Sequence, residues 1–517
     1  MMGRWLTGSI VIGIIASIFA GCSVNSSSST NPMEQSDVHA TGRVLTIGTT
    51  ADIESFDPPN NANTVSEAVL VNMFDYLLKN DNNQHKIPVL ATSWKKTDDN
   101  TWRFNLRQGV HFHNGDPFTA ADVKYTLERV AKDTSLKQNS YFKNIAEVRV
   151  IDDYTVDIVT DGPDPLLLNR LCKTGAGMLP SKYIDTNGIA AFLNQPVGTG
   201  PYKFGKWMKN DRVELVRNDE YFGGKPKWDE VVFRALPDSA VRVSALLAGD
   251  IDIATGLLAT DSKRINEVKG KTIVKAPIQR VLQIILRMSE GSPTADPKVR
   301  EAIDLAINKQ SLVNSIAGGA GIVTRTSVTP GNFGANLSLY RQALYNPSKA
   351  KRLLQAAGYS TGGPEIHLSA SSTYKEYASR ISAMLDQVGF KTKLDVLEPG
   401  AFMERYDSKA FKEAFMIGIG NSLFDASNNF NRYLKSAAVG ETDYNNPKTE
   451  RLLQAAATNT DITLREKQYQ EVQQILAVDR PAVYLFQMEG IYGMDQRVRF
   501  EPRKDEMFYA EDIIPVS

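Results

Sequence analysis

Hydrophobic positions along this chain recur in two rhythms, one of period two and one of helical period. Arg43-Val44-Leu45-Thr46-Ile47-Gly48 predicts a strand, followed by a loop from Asp52 to Pro59 and a helix around Ser66 to Leu78. A strand-rich block runs from Trp94 to Val110. Within it Thr101 to Leu106 alternate polar and apolar, as a half-buried strand does. Thr119 then caps a helix, with Asp122 three residues on as its capping-box acid and Ala121, Val123, Tyr125 and Leu127 opening the apolar side. Val148 to Thr160 alternate again around an Asp152-Asp153 turn. Val213 to Arg217 and Val231 to Ala235 are further strands, separated by the turn residues Gly223-Gly224-Lys225-Pro226.

The second half is more helical. Asp296-Pro297, Asn346-Pro347 and Asn446-Pro447 each pair a capping side chain with a proline suited to the first helical position. Val299, Ala302, Ile303, Ala306 and Ile307 share one face of the first of these helices, and Gly358 stops the second. Arg451 to Ala456 echo Arg352 to Ala357, but the flanks differ, so the echo is helix grammar and not a duplication. The pattern predicts α/β lobes without repeats or a coiled coil.

Composition narrows the class. At 517 residues the chain is too long for one core and should divide into two or three lobes. Its 42% hydrophobic and 23% charged residues are those of an ordinary globular protein. Fifty-nine basic residues offset fifty-nine acidic ones, and no Lys/Arg stripe suggests a nucleic-acid groove.

The N-terminus adds a location. Arg4 precedes an apolar run from Ile10 to Ala20, short for a permanent span but suited to a signal-peptide core. It ends in Phe19-Ala20-Gly21-Cys22, which resembles a bacterial lipoprotein cleavage box with Phe19 in place of the usual leucine. That resemblance implies cleavage before Cys22 and a diacylglycerol on its sulfur, two acyl chains that hold a protein to a membrane. The serine-rich stretch from Ser23 to Ala40 reads as a flexible leash. Cys172 would then lack a partner and is expected to be buried and inert.

Several blocks together carry a more specific resemblance. Ala91-Thr-Ser-Trp94 is followed by Asp98 to Val123, which includes Leu106-Arg107-Gln108-Gly109-Val110-His111-Phe112-His113-Asn114-Gly115 and Pro117-Phe118-Thr119-Ala120-Ala121-Asp122-Val123. Pro196 to Tyr202, Arg217-Asn218 with Tyr221 to Pro226, Leu247 to Asp252, Val299 to Ile303 and Asn346 to Tyr359 follow in order. From about Val44 to the C-terminus the chain resembles the extracytoplasmic solute-binding proteins, family 5, that serve dipeptide, oligopeptide and nickel ABC importers.

The resemblance implies an α/β, two-lobed periplasmic-binding-protein-like fold (type II, cluster C) with an extra domain inserted in the first lobe. Residues 1–21 would be signal peptide and 22–42 tether; 43–83, 195–278 and 490–517 the first lobe; 84–194 the insert; 279–489 the second lobe. The lobes would be joined near Pro277 to Met288 and Tyr484 to Met494. It further implies a monomer on the outer face of the cell membrane or in the periplasm. Its partners would be ABC permease subunits with their ATPase and a short peptide ligand, with no cofactor. A nickel chelate, glutathione or an oligosaccharide as ligand, or a sensing role, stay open.

Candidate chemistry is sparse. His111 and His113 share a strand face, but no third ligand completes a metal set. Gly358-Tyr359-Ser360-Thr361-Gly362 matches the hydrolase elbow by letter, yet a capped helix precedes it where a strand is required. The segment from Ile417 to Phe430, including Asn421 and Phe424, is the best candidate for ligand contact. In peptide-binding relatives this stretch carries a tryptophan, then an aspartate that pairs with the peptide's ammonium, then Asp-Pro. Matching Asp425 to the later aspartate puts Ile419 at the tryptophan and Ser422 at the ammonium partner. A buried ammonium would then lack its acid, unless Asp425 or Glu398 serves it. Arg280 is either a bidentate partner for a ligand carboxylate or a surface arginine, and Phe56 lines either the cleft or the core.

Overall fold

The computed structural model describes residues 43–360 and 362–516. The readings of a signal peptide, a lipidated Cys22 and a tether lie outside these residues.

An eleven-stranded sheet runs through the molecule. In its first half Val44–Thr49 pairs in parallel with Glu230–Ala235 and Ile253–Ala254, and Arg212–Arg217 and Tyr202–Met208 extend the edge antiparallel. In its second half Glu365–Ser371 lies in parallel between Lys391–Leu397 and Ala414–Gly420. Two long antiparallel strands, Lys271–Leu286 and Ala482–Asp495, belong to both halves. Their pairing slips register between Pro277 and Val281, so the backbone around Gln279 and Arg280 leaves the regular ladder. From Val281 to Leu286 every residue is buried, the pattern of a strand covered on both faces.

A separate four-stranded antiparallel sheet orders Ala91–Asp98, Thr101–Leu106, Thr155–Thr160 and Ile145–Asp152. The Ala120–Lys132 helix packs on it through Val123, Leu127 and Val130, and the Thr119 N–H donates to Asp122 Oδ2 at 2.8 Å. The expected capping box is therefore present. The helices Pro297–Ala306, Pro347–Ala356 and Pro447–Thr458 start where their Asx-Pro pairs predict, each with the Asp or Asn side chain accepting a backbone N–H.

One helix is shorter than its apolar pattern suggests: Thr64–Leu70 instead of Ser66 to Leu78. The chain turns out of it because the Asn72 and Met73 carbonyls accept from the Tyr202 and Gly200 N–H groups at 3.0 and 2.9 Å. Gly198 and Gly200 lie so close to this turn that a Cβ on either would strike the Met73 backbone. They permit close approach of two backbones, whereas Gly224 holds a left-handed φ of +100° in its turn. His113 locks the same corner. The Gly198 N–H donates to its Nδ1 at 3.2 Å, so Nε2 carries the proton and donates to the Gly200 carbonyl at 2.9 Å. Both ring nitrogens of His113 are thereby occupied by backbone.

Candidate functional site

A cavity of about 200 Å³ opens beside the strand slip at Gln279 and Arg280. Three pieces of chain wall it. The first is the irregular stretch Gln279-Arg280 with the loop after Ala414–Gly420. The second is the turn holding Cys172, Lys173 and Thr174, with Glu67 and Tyr141 beside it. The third is the C-terminal run from Lys504 to Tyr509.

Arg280 sits opposite Gly420 in the strand register. Gly418 and Gly420 lie on one strand face and carry no side chain, which leaves room for the Arg280 stem and the Tyr374 hydroxyl; a Cβ on Gly418 would lie 2.6 Å from that hydroxyl. The Arg280 guanidinium meets Glu506 at 3.3 Å with both side chains about a quarter exposed, and this carboxylate raises its pKa. Gln279 joins the walls through backbone, its N–H donating to the Lys504 carbonyl at 3.1 Å and its carbonyl accepting from Asn421 at 2.8 Å. Its Oε1 accepts from Thr329 and from Asn332 Nδ2.

Asn421 lines the cavity and also staples its own loop, Nδ2 donating to the Asp425 carbonyl at 3.0 Å and to Asn429 Oδ1 at 2.5 Å. Phe424 adopts φ +53° and Glu506 φ +64°, left-handed values unusual for such side chains, and both face this cavity. Across from the loop, Lys173 is buried with its ammonium 2.7 Å from Ser422 Oγ, 3.9 Å from Glu67 and 4.4 Å from the Tyr141 ring centre. Asn169 Nδ2 reaches the Leu423 carbonyl at 2.5 Å beside it.

Of the residues singled out in the sequence, Arg280, Asn421, Ser422 and Phe424 line this cavity, and Phe56, Ile419 and Asp425 do not. Phe56 is 1% exposed and packs edge-on against Phe204 and Trp207 at 5.1 and 5.5 Å, so it serves the core. Ile419 packs with the cluster around Val281 and Phe415. Asp425 gives both carboxylate oxygens to Arg465, and Glu398 stands at an exposed helix start. Cys172 is not fully buried as expected but lines the cavity, its thiol donating to the Leu168 carbonyl and pushed up to about 12 by desolvation. Ser360 follows the Pro347–Ala356 helix and precedes the Glu365–Ser371 strand, the reverse of a nucleophile elbow.

Sequence reasoning missed Glu67, Lys173 and the Lys504 to Glu506 run. Only the charged cluster Arg503-Lys504-Asp505-Glu506 after the last long strand offered a local signal.

Two sheet halves joined by two long strands, with a polar cavity beside the slip in one of them, are those of a two-lobed binding protein of the periplasmic type II class. Residues 86–441 match the bacterial extracellular solute-binding proteins, family 5, over more than half of the chain. The chain belongs to that family; it is a solute-binding protein and not an enzyme. It is 28% identical to the glutathione-binding protein GsiB of Salmonella paratyphi A over 456 residues, 86% of this chain and 88% of the relative. It is 27% identical to the probable D,D-dipeptide-binding periplasmic protein DdpA of Escherichia coli, over 90% of this chain and 93% of that one. Among solved structures, the Helicobacter pylori periplasmic binding protein DppA in complex with the peptide STSA superimposes with a TM-score of 0.79. It is 26% identical and is matched over 91% of this chain and 98% of its own. Among the described residues no helix is long and apolar enough to cross a membrane.

Proposed function

We propose that this chain is the lipid-anchored solute-binding component of an ABC importer, capturing a short peptide or peptide derivative in the cleft and handing it to the permease. The observation that carries the reading is the polar cavity walled by the strand end and loop that carry Arg280 and Asn421 on one side and by the turn that carries Lys173 on the other. The first lobe would comprise residues 43–83, 195–278 and 490–517, the insert 84–194 and the second lobe 279–489. The strand slip between Pro277 and Val281 is a natural place for the hinge strain of closure. Closure excludes water and strengthens each polar contact inside.

Glutathione, itself a modified tripeptide, is a specific second reading, favoured by the GsiB relatives. A thermal-shift screen of di- to tetrapeptides, glutathione, nickel chelates and oligosaccharides separates these ligands. A ligand at about 100 times its dissociation constant stabilises the fold by about 2.7 kcal/mol. Stabilisation by a chelate or sugar alone would refute the peptide reading. Anchoring through Cys22 is tested by Cys22→Ala, which should move the protein from the membrane fraction to the soluble one.

A further inference from the structure

We infer that the ligand presents an anionic group, a carboxylate in a peptide, to Lys173 and Ser422 on facing walls of the cleft. This rests on the reading of the cleft as the ligand site. An ammonium has three donors. Lys173 spends one on Ser422 Oγ at 2.7 Å. Its nearest carboxylate, Glu67 Oε1, is 3.9 Å away, beyond hydrogen-bond length. The Tyr141 face attracts the charge but offers no lone pair of comparable strength. A side chain only 4% exposed therefore keeps donors to spare at the cavity wall.

The other charges in the lining point the same way. Glu506 is held by Arg280, and Asp505 by Arg503 at 2.7 Å. Lys504 pairs with no carboxylate within 4 Å among the described residues. Glu67, the third acid of the lining, stands 3.9 Å from Lys173, near enough to offset its charge but too far to take its donors, so Lys173 and Lys504 keep donor capacity and an arriving anion completes partial shells. An arriving ammonium would meet Lys173 as a like charge. The Ser422 hydroxyl accepts from Lys173 and retains its own proton to donate to the same anion, which would tie ligand charge to both walls at once.

The test uses di- to tetrapeptides with uncharged side chains in four forms: free acid, C-terminal amide, N-acetyl acid and N-acetyl amide. Each is titrated against the wild-type chain, Lys173→Met, Lys173→Arg and Glu67→Gln. Both acid forms should bind wild type about tenfold or more tighter than the amides. Lys173→Met should erase that preference, while Lys173→Arg and Glu67→Gln should keep it. Amides binding wild type as tightly as acids, or an acid preference surviving in Lys173→Met, would overturn the inference and leave peptide binding intact. Loss of the preference in a well-folded Lys173→Arg would also count against it. If no form binds any variant, the peptide reading fails and this inference falls with it.

Discussion

Asp425 and Arg465 face each other in parallel, Oδ2 to Nη1 at 2.7 Å and Oδ1 to Nη2 at 2.8 Å, with both side chains buried. Asp425 also accepts the Ser427 N–H and so caps the short helix Ala426–Phe430, while the Arg465 guanidinium lies 4.7 Å from the Phe333 ring centre. The pair fixes the end of the loop that carries Asn421, Ser422 and Phe424. Arg465→Met would strand a buried carboxylate, and a loss of about 3–5 kcal/mol in denaturant unfolding is expected. The double variant Arg465→Met with Asp425→Asn should recover part of that loss. A single-variant cost below about 1 kcal/mol, the level of an exposed pair, would contradict this placement.

Gly200→Ala should destabilise the protein by roughly 1–3 kcal/mol, because the added Cβ lies 2.6 Å from the Met73 carbonyl carbon and neither backbone can yield freely. The melting temperature reads it. An unchanged midpoint would mean that the Met73 turn is not held against Gly200.

Burial lowers the His113 pKa to about 4, against an unfolded value near 6.5. Between those values the unfolded chain holds a proton that the folded one lacks, so stability falls as pH falls through that window. The stability present above pH 6.5 and lost by pH 4 is about 3 kcal/mol. Urea unfolding of the wild type and of His113→Gln at pH 7 and pH 4.5 checks it: the variant should lose less on acidification. Equal losses would count against a buried neutral imidazole.

Asp75 shows the opposite sign. Burial, aided by Glu511, pushes its carboxyl up to about 7 while Thr199 and Tyr221 hydroxyls donate to it at 3.0 and 3.1 Å. The folded state holds the extra proton, so this stability is full below the unfolded pKa near 3.9 and is lost as pH rises through 7. Asp75→Asn keeps the neutral shape, so its melting temperature relative to wild type should rise between pH 5 and pH 8. A constant difference would contradict the raised pKa.

Much of the fold was legible because its signals are local. The Asp-Pro and Asn-Pro starts, the Thr119 to Asp122 box and the alternation in Thr101–Leu106 each follow from neighbouring residues. The Ser66 to Leu78 helix was overread because its end is set by carbonyls that turn toward Gly200 and Tyr202, far along the chain. The candidate site was legible only on one wall. Arg280, Asn421, Ser422 and Phe424 fall in segments whose pattern marked them, whereas Lys173 meets Ser422 across 249 positions and no periodicity reports such a contact. Asp425, offered by the sequence as a possible ligand acid, is paired with Arg465, which sits on a helix whose spacing gives no sign of the pairing.

Isothermal titration calorimetry of the wild-type chain and of Ser422→Trp, with short peptides and glutathione, addresses ligand capture in the cleft most directly. At least one of these ligands should bind wild type with a dissociation constant on the order of micromolar or tighter, about −8 kcal/mol. The tryptophan, projecting into the cavity beside Lys173, should weaken that binding about a hundredfold while the far-UV circular dichroism stays that of wild type. Equal affinity in the two proteins would place the ligand elsewhere and contradict the cleft as its site.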